Sequence, residues 1–167
     1  MIRAFRLYRK HRRNEAFSGE GARLSGARWN LAGTPAVYCS STLALCLVEL
    51  FVHLDPTVVS LGGLGLEYRY ADIPEDLALQ EVTLSELPRD WRRFPWPKST
   101  QILGTRLLKE NQHAVISVPS VIVPLERNYL LNPLHPEFSR ITLGSPTPFD
   151  LDSRLFKLTK KTGRLKV

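Results

Sequence analysis

Apolar positions change period several times along this chain, and each change predicts a new element. From Ile2 to Tyr8 the residues alternate between two faces, Ile2, Ala4 and Arg6 against Arg3, Phe5 and Leu7, which predicts a strand. A stretch rich in glycine and charge then reads as a loop, and Pro35 to Ser40 as a short buried strand. Thr42 is placed to cap the apolar run Leu43 to Leu54, the clearest helix of the sequence, and Asp55-Pro56 ends it because proline cannot continue the hydrogen-bond ladder. Val58 to Tyr70, interrupted by Gly62-Gly63-Leu64-Gly65, predicts two strand pieces or one bulged strand, and Leu77 to Val82 adds another. Leu87 to Trp96 combines Pro88 and Pro95 with Trp91, Phe94 and Trp96, which predicts an irregular connection packed on the body. Ile102, Leu103, Leu107 and Leu108 recur at helical spacing and predict a helix over Ser99 to Asn111. Ala114 to Ser117 and Ser120 to Val123 read as strand pieces broken at Val118-Pro119, and Asn128 to Pro133 as the lead into a turn. Ile141 to Leu143 and Arg154 to Leu158 close the pattern, with a Ser145-Pro146-Thr147-Pro148 turn between them. This order predicts an α+β fold with mainly antiparallel sheets, in one domain over residues 1–167.

Length agrees with that reading, since 167 residues can bury about two-thirds of the unfolded surface. No apolar run approaches the roughly 18 residues that span a bilayer, which argues against a membrane protein. The positive N-terminus is followed by Arg9-Lys10-His11-Arg12-Arg13 where an export signal would carry an apolar core, so a cytoplasmic protein is expected. Cys39 and Cys46 fit structural thiols better than a disulfide, and no Cys and His partners complete a metal site, so none is expected. The net charge of +7 raises the question of nucleic acid. Its basic clusters, Arg9 to Arg13, Arg92-Arg93 and the tail with Lys157, Lys160, Lys161, Arg164 and Lys166, carry no interleaved aromatic residues for base stacking. Solvated surface or an acidic protein partner is the reading they favour, and direct nucleic-acid binding is not expected.

One residue breaks the apolar pattern in a chemically informative way. Glu49 lies in the first helix among Cys46, Val48, Leu50, Phe51 and Val52, where an ionised carboxylate is costly unless it is paired or used. Arg28 stands between a turn of small residues and Trp29, a setting that could hold a guanidinium for a phosphate or carboxylate, Glu49 among them. Tyr38 could offer a ring or a hydroxyl, or simply serve the core. Spacing alone leaves these alternatives open.

Motif order goes further. The string Ser25-Gly26-Ala27-Arg28-Trp29-Asn30, followed by Gly33, Val37-Tyr38, Ala44 and Glu49, resembles the first signature of the RES-domain family. Val118-Pro119-Ser120-Val121-Ile122-Val123-Pro124, then Asn128 to Pro133 and His135-Pro136, resembles its second. Phe149 to Asp152 with Arg154, Leu155 and Phe156 resembles its close, so the likeness covers about residues 3–156 and leaves a basic tail, 157–167. The resemblance implies an ADP-ribosyltransferase-like fold, with two roughly perpendicular sheets and flanking helices around a cleft for NAD⁺. It implies the NAD⁺-consuming toxin of a type II toxin–antitoxin system that arrests bacterial growth, and depletion of NAD⁺ is the expected outcome because a compact single domain offers little surface for recognising a protein substrate. Arg28, Tyr38 and Glu49 correspond to the family's catalytic trio, with Arg28 and Tyr38 also binding substrate, and Ser120 to its serine. Asn132 is a candidate to support the substrate, with a turn asparagine as the alternative.

Cleaving the nicotinamide–ribose bond leaves an oxocarbenium-like ribose, which a fixed carboxylate stabilises. Glu49 is expected in that role with Arg28 offsetting its burial, Arg28 on the pyrophosphate or a ribose, Tyr38 against the nicotinamide ribose or ring, and Ser120 positioning the same end. Water as acceptor makes a glycohydrolase, inorganic phosphate a phosphorylase with phosphate as co-substrate, and a protein side chain an ADP-ribosyltransferase. NAD⁺ is thus a substrate, and no cofactor is expected. The resemblance also implies an antitoxin with an Xre-type helix-turn-helix; that antitoxin is expected to block the cleft, and a homodimer within the complex is a further expectation that the sequence does not itself encode legibly. Against this stand a basic toxin acting on nucleic acid and a non-enzymatic scaffold in which Arg28 and Glu49 merely pair.

Overall fold

The computed structural model describes residues 1–53, 65–152 and 154–155. Its strands are β1 (Ile2–Arg9), β2 (Val37–Ser40), β3 (Leu66–Ile73), β4 (Leu79–Glu81), β5 (Val115–Pro119), β6 (Arg127–Leu131), β7 (Thr142–Leu143) and β8 (Thr147–Phe149). The α-helices are α1 (Glu20–Ser25), α2 (Leu43–His53) and α3 (Lys98–Glu110), with short 3-10 turns at Lys10–Glu15, Leu84–Glu86 and Pro136–Arg140. The α+β class is as the sequence predicts. The strands join in one hydrogen-bonded sheet, β4-β5-β6-β2-β1-β3-β7, with β8 beside β3, instead of two separate sheets. Its centre is narrow, however: β1 and β2 are paired only at Phe5 and Ser40, whereas β1 and β3 pair from Ile2 with Ile73 to Arg9 with Leu66. All pairings are antiparallel except that of β4 with β5.

Two cores lie on the sheet, and neighbouring residues divide between them. Val115 and Leu131 enter one with Val37, Ala4 and Ala71, while Ile116 and Leu130 enter the other with Trp29, Trp91 and Leu107. A strand covered on both faces reads as an unbroken apolar run, which is why Val115–Pro119 is buried throughout and carries no alternation.

Several expectations change on folding. Glu20–Ser25 is a helix where charge and glycine suggested a loop. Arg127–Leu131 is an interior strand between β5 and β2, although its Asn128 and the Asn132-Pro133 that follows suggested a turn. Ser120–Val123, apolar enough to predict a strand, is irregular: the Ser120 hydroxyl accepts the amides of Ile122 and Val123 at 3.2 and 3.0 Å, which turns the chain away from the ladder. Thr147–Phe149 pairs with β3 where the proline spacing suggested only a turn. Arg154 and Leu155 are helical, and the rest of the strand expected over Arg154 to Leu158 lies outside the described residues, as do the helix end at Asp55-Pro56 and the start of the Val58 to Tyr70 segment. Thr42 caps α2 as expected, its hydroxyl accepting the Leu45 amide at 3.0 Å.

Paired carboxylates on β3 tie the outer half of the sheet. Asp72 faces Arg3 across the ladder and takes its guanidinium fork at 2.7 and 2.8 Å. Glu67, 2% exposed, takes the fork of Arg13. Each arginine, chiefly by hydrogen bonding, holds its partner's carboxyl below the usual carboxylate range. A depressed folded value means that the stabilisation is complete above the unfolded pKa, near 4, and disappears as pH falls through the folded one. The urea midpoint is therefore expected to drop on acidification below about pH 4, and the drop should be shallower in Asp72→Asn and Glu67→Gln; an unchanged acid slope in both would separate these pairs from acid stability.

Candidate active site

A pocket of about 570 Å³ lies where β1 and β2 meet, with Arg6 and Leu7 from β1, Tyr38 and Ser40 from β2, and Glu49 from α2 on its walls. Volumes of this order suit a small organic ligand or cofactor.

Arg28 reaches it from a tight turn. After α1, Gly26 adopts a left-handed φ of 68°, and Ala27 and Asn30 exchange backbone hydrogen bonds of 3.0 and 3.3 Å, so Arg28 and Trp29 stand at the tip. Asn30, fully buried, anchors the turn: its amide donates to the carbonyls of Ala22 and Thr34, and its Oδ1 accepts the Tyr38 hydroxyl at 2.7 Å. Helix α3 supports the other side, with Gln101 donating to the Ala27 carbonyl and Thr105 accepting the Leu31 amide. Arg28 makes no ion pair with Glu49 among the described residues. Its Nη1 instead donates to the carbonyls of Trp91 and Arg93 at 2.6 and 3.1 Å. Burial lowers the Arg28 pKa, and the charge of Glu49 opposes that shift.

Tyr38 offers its ring and not its hydroxyl. The oxygen accepts the Trp29 amide at 3.1 Å while its proton goes to Asn30, and burial pushes the phenol pKa up. Tyr38→Phe should therefore act on stability, because it strands a buried amide oxygen and a backbone N–H, a loss of about 1–3 kcal/mol. A urea midpoint equal to wild type would contradict that bonding.

Glu49 is half-buried and held from two strands. The Ser120 hydroxyl, just after β5, donates to its Oε1 at 3.1 Å, and the Asn128 amide, on β6, donates to the same oxygen at 2.8 Å. Asn128 is in turn fixed by the Ser40 hydroxyl on its Oδ1 at 2.8 Å, across the register pair Ser40 and Asn128. No bond from the described residues falls on Oε2. Neutral donors thus hydrogen-bond this carboxylate, and Arg28 acts on it by charge without a direct ion pair. Ser120 is fully buried and stands behind the pocket wall, bonded to Glu49 and to the amide of Ile122, both of which line it.

Asn132 is not at this pocket. Its amide donates to the Leu108 carbonyl and Asn111 Oδ1, and its Oδ1 accepts the Leu134 amide, so it closes the end of α3 onto the following turn. These bonds are the ones a turn asparagine makes. Conversely, sequence reasoning missed Arg6, Asn128 and Asn30. Arg6 lines the pocket with Nη1 on the Tyr38 carbonyl at 2.7 Å, while its buried Nε has no protein partner and burial lowers its pKa. An arginine in the middle of a strand otherwise facing the core was the available signal. Cys39 and Cys46 are free and buried, and burial pushes the Cys39 thiol up to about 12. No group of three or more metal-ligating side chains occurs among the described residues, and no helix there is long and apolar enough to cross a membrane.

The RES domain matches residues 3–152. A protein named "Toxin Res" from Photorhabdus laumondii is 34% identical over 160 residues, 93% of this chain and 98% of its own length. The "Prs ADP-ribosylating toxin" of Sphingobium sp. is 37% identical over 145 residues, covering 84% of this chain and 86% of that protein. The fold is shared with a chain in the crystal structure of the M. tuberculosis MbcT–MbcA toxin–antitoxin complex, at a TM-score of 0.69 and 23% identity over 93% of this chain and 87% of that one. Because the domain matches residues 3–152 and both relatives, at 34% and 37% identity, cover more than four-fifths of the chain, the protein belongs to the RES-domain toxin family.

Proposed function

We propose that this chain is the toxin of a toxin–antitoxin pair and that its pocket cleaves the nicotinamide–ribose bond of NAD⁺, depleting the cell of the dinucleotide. The observation that carries the reading is the carboxylate of Glu49, held on one oxygen by Ser120 and Asn128 with the other unengaged among the described residues, in a pocket that also contains the guanidinium groups of Arg6 and Arg28. A dinucleotide needs those features: cations for its two phosphates and a fixed anion for a ribose that becomes positive. As the C1′–N bond breaks, its electron pair leaves with neutral nicotinamide, and the positive charge on the ribose is stabilised by Glu49, whose position is set before the substrate arrives. Arg28 and Arg6 engage the pyrophosphate, and the Tyr38 ring packs against the nicotinamide ribose.

The sheet supports the ADP-ribosyltransferase-like reading. Its single-pair joint divides β1 and β3 with β7 and β8 from β2, β6, β5 and β4, and residues from both sides of that joint line the pocket. Water or inorganic phosphate is the acceptor we favour. Transfer to a protein side chain is the second reading, supported by the name of the Sphingobium relative, an ADP-ribosylating toxin. The partner is an antitoxin, as in the complex that shares this fold, with an Xre-type helix-turn-helix and acidic surface suited to a +7 chain. It acts by covering the pocket, in an assembly that contains two toxin copies.

The test is nicotinamide release by the purified chain, with and without inorganic phosphate and with and without the antitoxin. Release that requires phosphate assigns a phosphorylase, and release without it a glycohydrolase. No release under any of these conditions overturns depletion, and a complex that cleaves at the free toxin's rate overturns blockage.

A further inference from the structure

The connection from residue 91 to residue 96 supplies a pocket wall unlike the polar floor around Glu49. Its three aromatic side chains have different fates. Trp91 is 8% exposed and belongs to the second core, whereas Phe94 and Trp96 line the pocket, and Phe94 is 74% exposed at its rim. Phe94 and Trp96 pack edge to face, 6.2 Å between centroids at 79°, and His53 meets Trp96 at 5.9 Å and 75°. Such perpendicular pairs leave ring faces available to another flat ring. His53 lies four residues beyond Glu49 on α2, about 6 Å along the helix axis, so the aromatic wall serves a part of the ligand other than the ribose held by the carboxylate. The wall is also tied to the phosphate-binding region, because Arg28 Nη1 bonds the carbonyls on either side of Arg92.

We propose that Phe94 and Trp96 form the stacking platform for the adenine ring of the dinucleotide. The inference rests on the NAD⁺ reading and extends it to the non-reacting end of the substrate. The reacting ribose must sit at Glu49, on the polar floor, which leaves the adenosine end toward the open rim where Phe94 stands. Arg28 then has two tasks, holding the pyrophosphate and setting the platform at a fixed distance from it. Stacking is indifferent to the charge that develops at the ribose, so the platform contributes binding equally in ground and transition states.

The experiment combines nicotinamide-release kinetics with calorimetric titration of ADP into Glu49→Gln protein, in Phe94→Ala, Trp96→Ala, Phe94→Tyr and Trp96→Phe backgrounds. Both alanine variants are expected to raise KM for NAD⁺ by at least about fivefold, the lower end for loss of a base stack, with kcat within about twofold. They should weaken ADP binding by a similar factor, and the ring-keeping variants should restore both. Phe94 is exposed, so its replacement leaves the fold intact, which circular dichroism checks. Unchanged KM and ADP affinity in Phe94→Ala and Trp96→Ala overturn the platform, as does a fall in kcat with KM unchanged. Should the wild-type chain release no nicotinamide, the NAD⁺-cleavage reading fails and ADP binding decides alone: weakening by alanine that the ring-keeping variants reverse supports a purine platform, and absent or unaltered binding overturns it.

Discussion

Glu49→Gln is expected to lower nicotinamide release by about 10²-fold or more while leaving the protein folded. The amide oxygen of glutamine can still accept from Ser120 and Asn128, so the bonds that hold the side chain at 3.1 and 2.8 Å survive the exchange. What disappears is the negative charge, whose value is greatest when the ribose becomes positive. Release should therefore fall through kcat more than through KM. The scaffold alternative makes the opposite prediction, loss of folding with Glu49, and the absence of an ion pair between Arg28 and Glu49 argues against it. A Glu49→Gln protein that melts like wild type and turns over at the wild-type rate would remove Glu49 from the chemistry.

Gly104→Ala is expected to destabilise the protein by about 2 kcal/mol, although alanine is the better helix former by about 1 kcal/mol. A Cβ on Gly104 would stand 2.1 Å from the Trp29 carbonyl oxygen and 2.8 Å from its carbonyl carbon, and these are backbone atoms that no rotamer change can move. Helix α3 and the Arg28 turn would have to separate. That displacement carries Arg28 with it, so the melting temperature should fall by roughly 4–8 °C and KM for NAD⁺ should rise in the folded fraction. A Gly104→Ala protein as stable as wild type would mean that the turn does not rest on this helix face.

The helix over Leu43–His53 and the helix over Lys98–Glu110 were both legible because apolar spacing and, for the first, a capping threonine are local signals. Strand β6 was not, since Asn128 and Asn132 read as turn residues until β5 and β2 flank them and give Asn128 a carboxylate and a serine to bond. Likewise the Ser120–Val123 segment reads as a strand by composition, and only the bonds of the Ser120 hydroxyl to two amides show why it bends.

The sequence by itself singled out Arg28, Tyr38, Glu49 and Ser120 as candidates, through motif order, and determined the α+β class, through the periods of its apolar positions. Tertiary structure decided what each one bonds. It sent the hydrogen bonds of Arg28 to loop carbonyls instead of Glu49, occupied the Tyr38 hydroxyl with Asn30 and Trp29, moved Asn132 to the end of α3, and brought Arg6, Asn128, Phe94 and Trp96 to the pocket. The physical reason is that a polar side chain chooses its partner among groups distant in sequence, and 71 and 79 residues separate Glu49 from the two that hold it. Residue type limits which bonds can form, while the packing of strands and helices selects the ones that do.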